Sequence, residues 1–470
     1  MIASLRQNRA CRHRIYSSGE RLGHGVLSQT VDLIRVIAGY VTDYSARGIA
    51  EGISRAIRQG ALAEGSKLPA IRVLAEEFQC SPTTVSAAWT LLTRAGLIRS
   101  DRRRGTIVVP RSRAGTGRYR RALEQTTGLR LDLSTGVPDP QLLPDLTAAF
   151  SRMTSGSASA TYLTDPVVPG LRDVLESSWA FPAEVLTIVD GAMDALDLIV
   201  TTHLQYGDRV VVENPCFPPL LDLLDVAGVT IVPVELDEAG MVPASLTAAL
   251  RAEPRAVFLQ PRAQNPTGVS LTRERTAELV AVLAGHDAFV VENDSAAGIA
   301  TTELHSLGCH IPRRTVHVRS YSKSHGPDLR LAAIGGASWL VEPIVNRRFL
   351  GQSWTSHLLQ RLLLDLLTHP SSVEQVQHAR DQYAWRRASL ADELTALGIE
   401  VGGTDGLNLW VPVVDEPSAL IALTSQGVGV APGSPFNAGA GPTRHLRVTS
   451  ALLATGHHDV ARMLANAAGR

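Results

Sequence analysis

From Leu131 onward, short apolar runs alternate with amphipathic stretches, and that alternation leaves the chain few architectures to adopt. The runs are Leu186–Ile188, Arg209–Val212, Thr230–Val232, Ala256–Leu259, Phe289–Val291 and Val316–Arg319. Helical patterns lie between them at 193–204, 218–227, 245–251 and 272–285. Strands separated by helices join through crossovers, which predicts a mostly parallel sheet covered on both faces. Past about residue 340 the pattern turns helical, most clearly from Arg380 to Leu397. A small α/β piece follows, with Leu407–Val411, Val428–Ala431 and Leu446–Val448 as its strands. The expected layout is a large α/β domain and a smaller C-terminal one, with a ligand at their boundary. This domain runs over 131–470, its small subdomain over about 345–470.

The N-terminal quarter has a different texture. Residues 1–45 form an N-terminal extension without a clear period until 31–38, and the first ~25 are expected to be poorly ordered. Ile49, Ile53 and Ile57 then recur every four residues, along one face of a helix ended by Gly60 and Gly65. A second helix opens at Pro69 and runs from Ala70 to Phe78. Ser81 caps a third, with Pro82 at its first position, Val85, Ala88, Leu91 and Leu92 turned inward, and Gly96 as its stop. Two short apolar runs, Leu97-Ile98 and Thr106–Val109, flank the basic turn Arg102-Arg103-Arg104-Gly105. Three helices and a β-wing make a winged helix-turn-helix over 46–110. Ser81, Thr83, Thr84 and Ser86 would enter the major groove of double-stranded DNA. Arg102, Arg103 and Arg104 would meet phosphates or the minor groove, and Arg72 would meet the backbone. The stretch resembles the GntR-type DNA-binding domain in Leu68-Pro69, Arg72, Leu74-Ala75, Ser81, Thr84-Val85, Gly96-Leu97-Ile98 and Arg104-Gly105-Thr106. A basic linker, 111–130, follows.

Charge agrees with this division. The chain is formally neutral, with 45 Lys+Arg and 45 Asp+Glu. Residues 1–125 hold 21 basic and 9 acidic side chains, a balance of +12, so the remainder stands at −12. The basic part is the nucleic-acid candidate. No apolar run reaches the ~18 residues of a membrane span, and no apolar segment follows the N-terminal arginines as in a secretory signal. Four scattered cysteines have neither metal-ligand nor disulfide spacing. The expectation is a cytoplasmic protein with no metal and no membrane partner.

Only two lysines occur, Lys67 and Lys323, against 43 arginines. A lysine kept in such a chain is a candidate for chemistry closed to arginine, because a primary amine can lose its proton and form an imine with an aldehyde. Lys323 lies just past a strand, in Arg319-Ser320-Tyr321-Ser322-Lys323-Ser324-His325-Gly326-Pro327-Asp328-Leu329-Arg330. Open α/β sheets place ligands at such strand ends. Arg330, seven residues on, is a fixed cation able to hold a phosphate. Upstream come Asp190-Gly191-Ala192-Met193 at a strand-to-helix turn, Glu213-Asn214-Pro215-Cys216-Phe217-Pro218, Asn265-Pro266-Thr267-Gly268 and Glu292-Asn293-Asp294-Ser295. The first offers backbone N–H groups to an anion.

This ordered set resembles the fold-type I aminotransferases that use pyridoxal 5′-phosphate (PLP). With the GntR-like N-terminus, the whole chain resembles the MocR-type regulators. The resemblance implies that Lys323 binds PLP as an imine. It implies that the Gly191-Ala192-Met193 backbone, Ser320 or Ser322, and Arg330 hold the phosphate, that Phe217 stacks on the pyridine ring, and that Asn265 donates to the phenolic oxygen. Tyr162 would reach the site of the facing subunit of a homodimer. Arg447 matches the position that binds the carboxylate of an amino-acid ligand.

One departure stands out. The family has Glu-Asp-Asp-Tyr where this chain has Glu292-Asn293-Asp294-Ser295. If register holds, Asn293 replaces the Asp that pairs with the pyridine nitrogen, and Ser295 replaces the Tyr. An amide cannot keep that nitrogen protonated as a carboxylate does, which weakens the ring as an electron sink. A one-residue slip would bring in Asp294, but neighbouring strand residues face opposite ways. The reading is therefore a DNA-binding transcriptional regulator that binds PLP through Lys323 and senses an amino compound carrying a carboxylate. The alternative is an active PLP-dependent aminotransferase with an appended DNA-binding domain.

Overall fold

A computed structural model describes residues 33–63, 65–94, 98–101, 105–108, 117, 129–153, 164–439, 441 and 443–469. The chain divides into two units, Met1–Arg113 and Ala114–Arg470.

The first unit holds helices α1 (Ala46–Arg58), α2 (Ile71–Glu77) and α3 (Pro82–Arg94), then strands β1 (Ile98–Asp101) and β2 (Gly105–Val108). Ser45 caps α1 by accepting from the Gly48 N–H. The four-residue spacing of Ile49, Ile53 and Ile57 does form a buried stripe. Leu74 and Ala75 of α2, and Val85, Ala88, Trp89 and Leu92 of α3, are buried in the same unit. β1 and β2 pair antiparallel from Ile98↔Val108 to Asp101↔Gly105. Lys67 bridges to Ile107, placing that lysine against the hairpin.

The second unit is built on an eight-stranded sheet. Its strands are β4 (Val185–Val189), β5 (Arg209–Asn214), β6 (Thr230–Asp237), β7 (Gly240–Met241), β8 (Ala256–Leu259), β9 (Phe289–Asp294), β10 (Thr315–Ser320) and β11 (Ala332–Gly336). They lie in the order β4-β11-β10-β9-β8-β5-β6-β7. The run β10-β9-β8-β5-β6 is parallel throughout. β11 is antiparallel to both β10 and β4, which leaves β4 pointing with the parallel set. The C-terminal ends of β4, β5, β8, β9 and β10 therefore open on one edge, where open α/β sheets carry their ligands.

Alternation along the strands feeds two cores. Val210, Val212, Phe258, Phe289, Val291, Val316 and Val318 pack on one face with helices α6 (Ala192–His203), α7 (Pro218–Ala227) and α10 (Ser338–Phe349). Val211, Val257, Leu259 and Val290 pack on the other with α8 (Pro243–Leu250) and α9 (Arg273–Leu283). Helices α4 (Leu146–Arg152), α5 (Pro169–Ser177) and α11 (His357–Thr368) share a further core with Leu186, Ile188 and Ala333.

A second sheet has the order β12-β14-β13-β3, from β12 (Asn408–Pro412), β13 (Val428–Pro432), β14 (His445–Thr449) and β3 (Leu131–Leu133). β3 pairs parallel to β13, a partner some 300 residues away, and that pairing was not foreseen in the sequence. Helices α12 (Pro370–Ala396), α13 (Glu416–Ser425) and α14 (His457–Ala468) cover this sheet. Among the described residues, no helix is long and apolar enough to cross a membrane, and no cluster of His, Cys, Asp and Glu could hold a metal ion.

Candidate functional site

Strand parity fixes which side chains meet at the sheet edge. In β9, Phe289, Val291 and Asn293 share one face, while Val290, Glu292 and Asp294 share the other. Asn293 thus lies on the side of α6 and α7, together with Phe217, Ala192 and Met193, which pack against that core. Asp294 lies on the opposite side. There Arg262 grips it through Nε to Oδ1 at 3.0 Å and Nη2 to Oδ2 at 2.8 Å, and the Ala297 N–H donates to Oδ1 at 3.0 Å. Burial alone would raise the Asp294 pKa, but Arg262 outweighs it, with smaller help from His317 and Arg319, and holds the carboxyl below its usual range. Asp294 is thereby committed elsewhere, and Asn293 is the polar side chain of the β9 end turned to the α6 side.

Asn293 and Asn265 are both buried, and the Oδ1 atom of each has no hydrogen-bond partner among the described residues. Orphaned buried acceptors are rare and each calls for an explanation. Asn265 follows β8 in a turn with a cis Asn265–Pro266 bond. Its backbone N–H donates to Gln260 Oε1 and its carbonyl accepts from Gln260 Nε2, both at 3.4 Å. Gln260 also accepts from the Ser295 hydroxyl at 3.1 Å, and Ser295 in turn accepts from Lys323 Nζ at 3.4 Å. Gln260 and Ser295 thus tie the lysine to the Asn265 turn. No sequence signal points to Gln260, because a glutamine beyond a strand carries none of its own.

Lys323 keeps some solvent exposure, but desolvation of its amine, joined by the nearby Arg447 cation, pulls the pKa down to about 8 against the opposing pull of Asp294. Such an amine is partly neutral near physiological pH and able to act as a nucleophile. Arg447, in β14, is fully buried. Its guanidinium donates to the Ser134 carbonyl, presses on Gly136 where a Cβ would stand 2.7 Å from Nη1, and lies 5.2 Å from the Phe436 ring centroid.

The Gly191 turn is shaped for a close approach. Gly191 caps α6 at φ 103°, outside the range open to most side chains. A Cβ there would lie 3.1 Å from Arg330 Nη2, which also donates to the Asp190 carbonyl at 3.3 Å. Arg330 itself has a left-handed backbone, φ 50°. The exposed guanidinium therefore sits over the glycine at the N-terminus of α6, as an anion site requires. Ser320 is buried and accepts from the Ser322 N–H at 3.3 Å. Among the described residues, neither serine hydroxyl bonds to Arg330 or to the Gly191 turn.

In the first unit, Ser81 Oγ accepts from the Thr84 N–H at 3.1 Å and bonds the hydroxyls of Thr83 and Thr84 at 2.6 and 2.8 Å. Ser81, Thr83 and Ser86 are exposed and Thr84 half-buried, so the N-terminal face of α3 is available to a partner. Arg72 is exposed on α2. Arg102, Arg103, Arg104 and Tyr162 lie outside the described residues, as does most of the 111–130 linker.

An N-terminal three-helix unit with a β-hairpin, followed by a two-sheet α/β unit with a lysine at the strand ends, defines a class of bacterial regulator. The chain belongs to it. Residues 45–108 match the family model "Bacterial regulatory proteins, gntR family", and residues 130–463 match "Aminotransferase class I and II". The chain is 36% identical to the vitamin B6 salvage pathway transcriptional repressor PtsJ of Salmonella typhimurium, over 87% of this chain and 95% of that one. It is 26% identical to the HTH-type pyridoxine biosynthesis transcriptional regulator PdxR of Corynebacterium glutamicum, over 84% and 89% of the two chains. Among solved structures, the α-aminoadipate aminotransferase LysN of Thermus thermophilus, complexed with N-(5′-phosphopyridoxyl)-L-leucine, superposes with a TM-score of 0.66 at 22% identity. That match covers 81% of this chain and 98% of LysN and supports the fold. The protein is a transcriptional regulator of MocR type, with a GntR domain joined to an aminotransferase-like domain.

Proposed function

We propose that the aminotransferase-like domain binds PLP through Lys323 and uses it to sense a small molecule rather than to turn over substrate. The observation that carries this reading is the division of labour in β9. Asp294 is held by Arg262 on one face, and Asn293, an amide, stands on the other with an orphaned Oδ1.

The residues present fit PLP. The buried amides of Asn265 and Asn293, a glycine turn under Arg330 and a lysine amine of lowered pKa lie at the strand ends. PLP supplies an aldehyde that condenses with a primary amine and a ring that can withdraw electrons when its nitrogen is protonated. Lys323 would hold the aldehyde carbon. Arg330, with the backbone of Gly191, Ala192 and Met193 and the hydroxyls of Ser320 or Ser322, would hold the phosphate. Phe217 would lie on the ring, and Asn265 would meet the phenolic oxygen. Asn293 would face the ring nitrogen without supplying the charge that keeps it protonated. Ser295, next to Lys323, stands where a tyrosine is usual.

The names of the relatives PtsJ and PdxR support a regulator of vitamin B6 genes, which makes PLP supply a natural signal. An amino compound exchanging with Lys323 would be a second input. Arg447 would bind its carboxylate only once the Ser134 carbonyl gives way. Ser81, Thr83, Thr84 and Ser86 would read the operator, and Arg72 with Arg102, Arg103 and Arg104 would bind its phosphates, in a homodimer completed by Tyr162 from the facing subunit. The test is a spectral titration with PLP and a panel of amines, with operator affinity measured in parallel. A visible band on PLP addition and a changed operator affinity are expected. Steady turnover of amino acids with 2-oxo acids at ~1 s⁻¹ or above would instead make the protein a working aminotransferase.

A further inference from the structure

The N-terminus of α6 carries a feature at odds with anion binding. Two carboxylates, Asp190 and Asp194, lie in the same turn as Gly191. Both would repel a phosphate dianion resting on that turn. The structure answers them with one side chain from a different helix. Arg348, near the end of α10, is 5% exposed and donates from Nη1 to Asp194 Oδ2 at 2.8 Å and from Nη2 to Asp190 Oδ2 at 3.2 Å. Thr355 completes the arrangement, accepting from Arg348 Nη2 at 2.9 Å and donating to Asp190 Oδ1 at 2.7 Å. Gln352 also donates to Asp190 Oδ2. Asp194 Oδ2 in turn accepts from the Asp190 N–H at 3.0 Å, closing the turn that presents Gly191. The anion site therefore has two guanidinium groups of different duty. Arg330 lies over the glycine on the open side, whereas Arg348 is buried behind it.

Resting on the PLP reading above, we propose that Arg348 is a positioning residue for the phosphate group of the ligand. It offsets one of the two negative charges of Asp190 and Asp194 and locks the turn, so that the N–H groups of α6 face the phosphate against less competing negative charge. It does not touch the ligand. Because only the phosphate carries the dianion, its effect separates PLP from pyridoxal, the same aldehyde without phosphate.

The experiment measures binding of PLP and of pyridoxal to the full chain by absorbance titration. Arg348→Gln is expected to lower the ratio of PLP to pyridoxal affinity at least tenfold. Asp190→Asn/Arg348→Gln, which removes one of the exposed negative charges, is expected to recover at least threefold of that loss. An equal loss of both ligands in Arg348→Gln, or a double variant no better than the single, overturns the proposal. Should Arg348→Gln not fold, Asp190→Asn alone decides, since it keeps the arginine and removes a repelling charge. A raised PLP-to-pyridoxal ratio upholds the proposal, and an unchanged or lowered one overturns it. If the unsubstituted chain binds neither aldehyde, the PLP reading itself has failed, and the proposal falls with it.

Discussion

With a pKa of about 8, the Lys323 amine is neutral in about a tenth of molecules at pH 7 and in about nine-tenths at pH 9. An ordinary lysine at 10.5 would be neutral in only about one in 3,000 at pH 7, so the site offers roughly 300 times more nucleophile. The rate of PLP capture should therefore rise about tenfold from pH 7 to pH 9 and then level off. An amine left at 10.5 would give about a hundredfold rise over the same interval, with no plateau. The assay is stopped-flow absorbance after mixing protein with excess PLP, across a pH series at constant ionic strength. Arg447 adds to the lowering of the pKa, so Arg447→Gln should move the plateau to higher pH and slow capture at pH 7. Desolvation is the larger cause, so part of the lowering should survive that substitution. A hundredfold rise without a plateau, or a profile untouched by Arg447→Gln, would refute the reasoning.

Arg262→Ala leaves Asp294 buried without its partner and should cost about 3–5 kcal/mol in denaturant unfolding. Asn293→Asp places a carboxylate at the ring-facing position and should raise conversion of an amino acid to its 2-oxo acid by about tenfold or more, read by product formation. Glu213 is buried and desolvation lifts its pKa to about 8, so its contribution is fully present below the usual carboxyl range and is lost as pH rises towards 8. Glu213→Gln should flatten that decline in melting experiments over pH 4.5–8. Operator binding should weaken steeply with salt, and each of Arg72→Ala and Arg103→Ala should reduce the salt slope by about one.

What the sequence disclosed followed from local chemistry. The apolar runs ending at Ile188, Val212, Val291 and Arg319 marked real strands, though each strand runs one to three residues further, β5 into Glu213-Asn214 and β9 into Glu292-Asn293-Asp294. Those polar ends carry the site, which is why periodicity alone stopped short of it. Parity in β9 was legible too, since alternation decides between Asn293 and Asp294 before any coordinates exist. β11 was hidden because Ala-Ala-Ile-Gly-Gly has neither alternation nor β-branched density. β3 was hidden because its partner β13 lies far away in sequence. The first turns of α12, Pro-Ser-Ser-Val-Glu-Gln, lack an apolar stripe. Arg348 and Arg262 could not be told from the other arginines, because their roles arise only where helices and loops bring them to Asp190, Asp194 and Asp294.

The central claim is that this regulator holds PLP on Lys323, and the composition makes its test unusually clean, since Lys67 is the only other lysine. The measurement is hydride reduction of the PLP-loaded protein followed by peptide mass mapping. A phosphopyridoxyl group is expected on the peptide containing Lys323, absent in Lys323→Ala. Modification confined to Lys67, or no modification of either lysine, would contradict it.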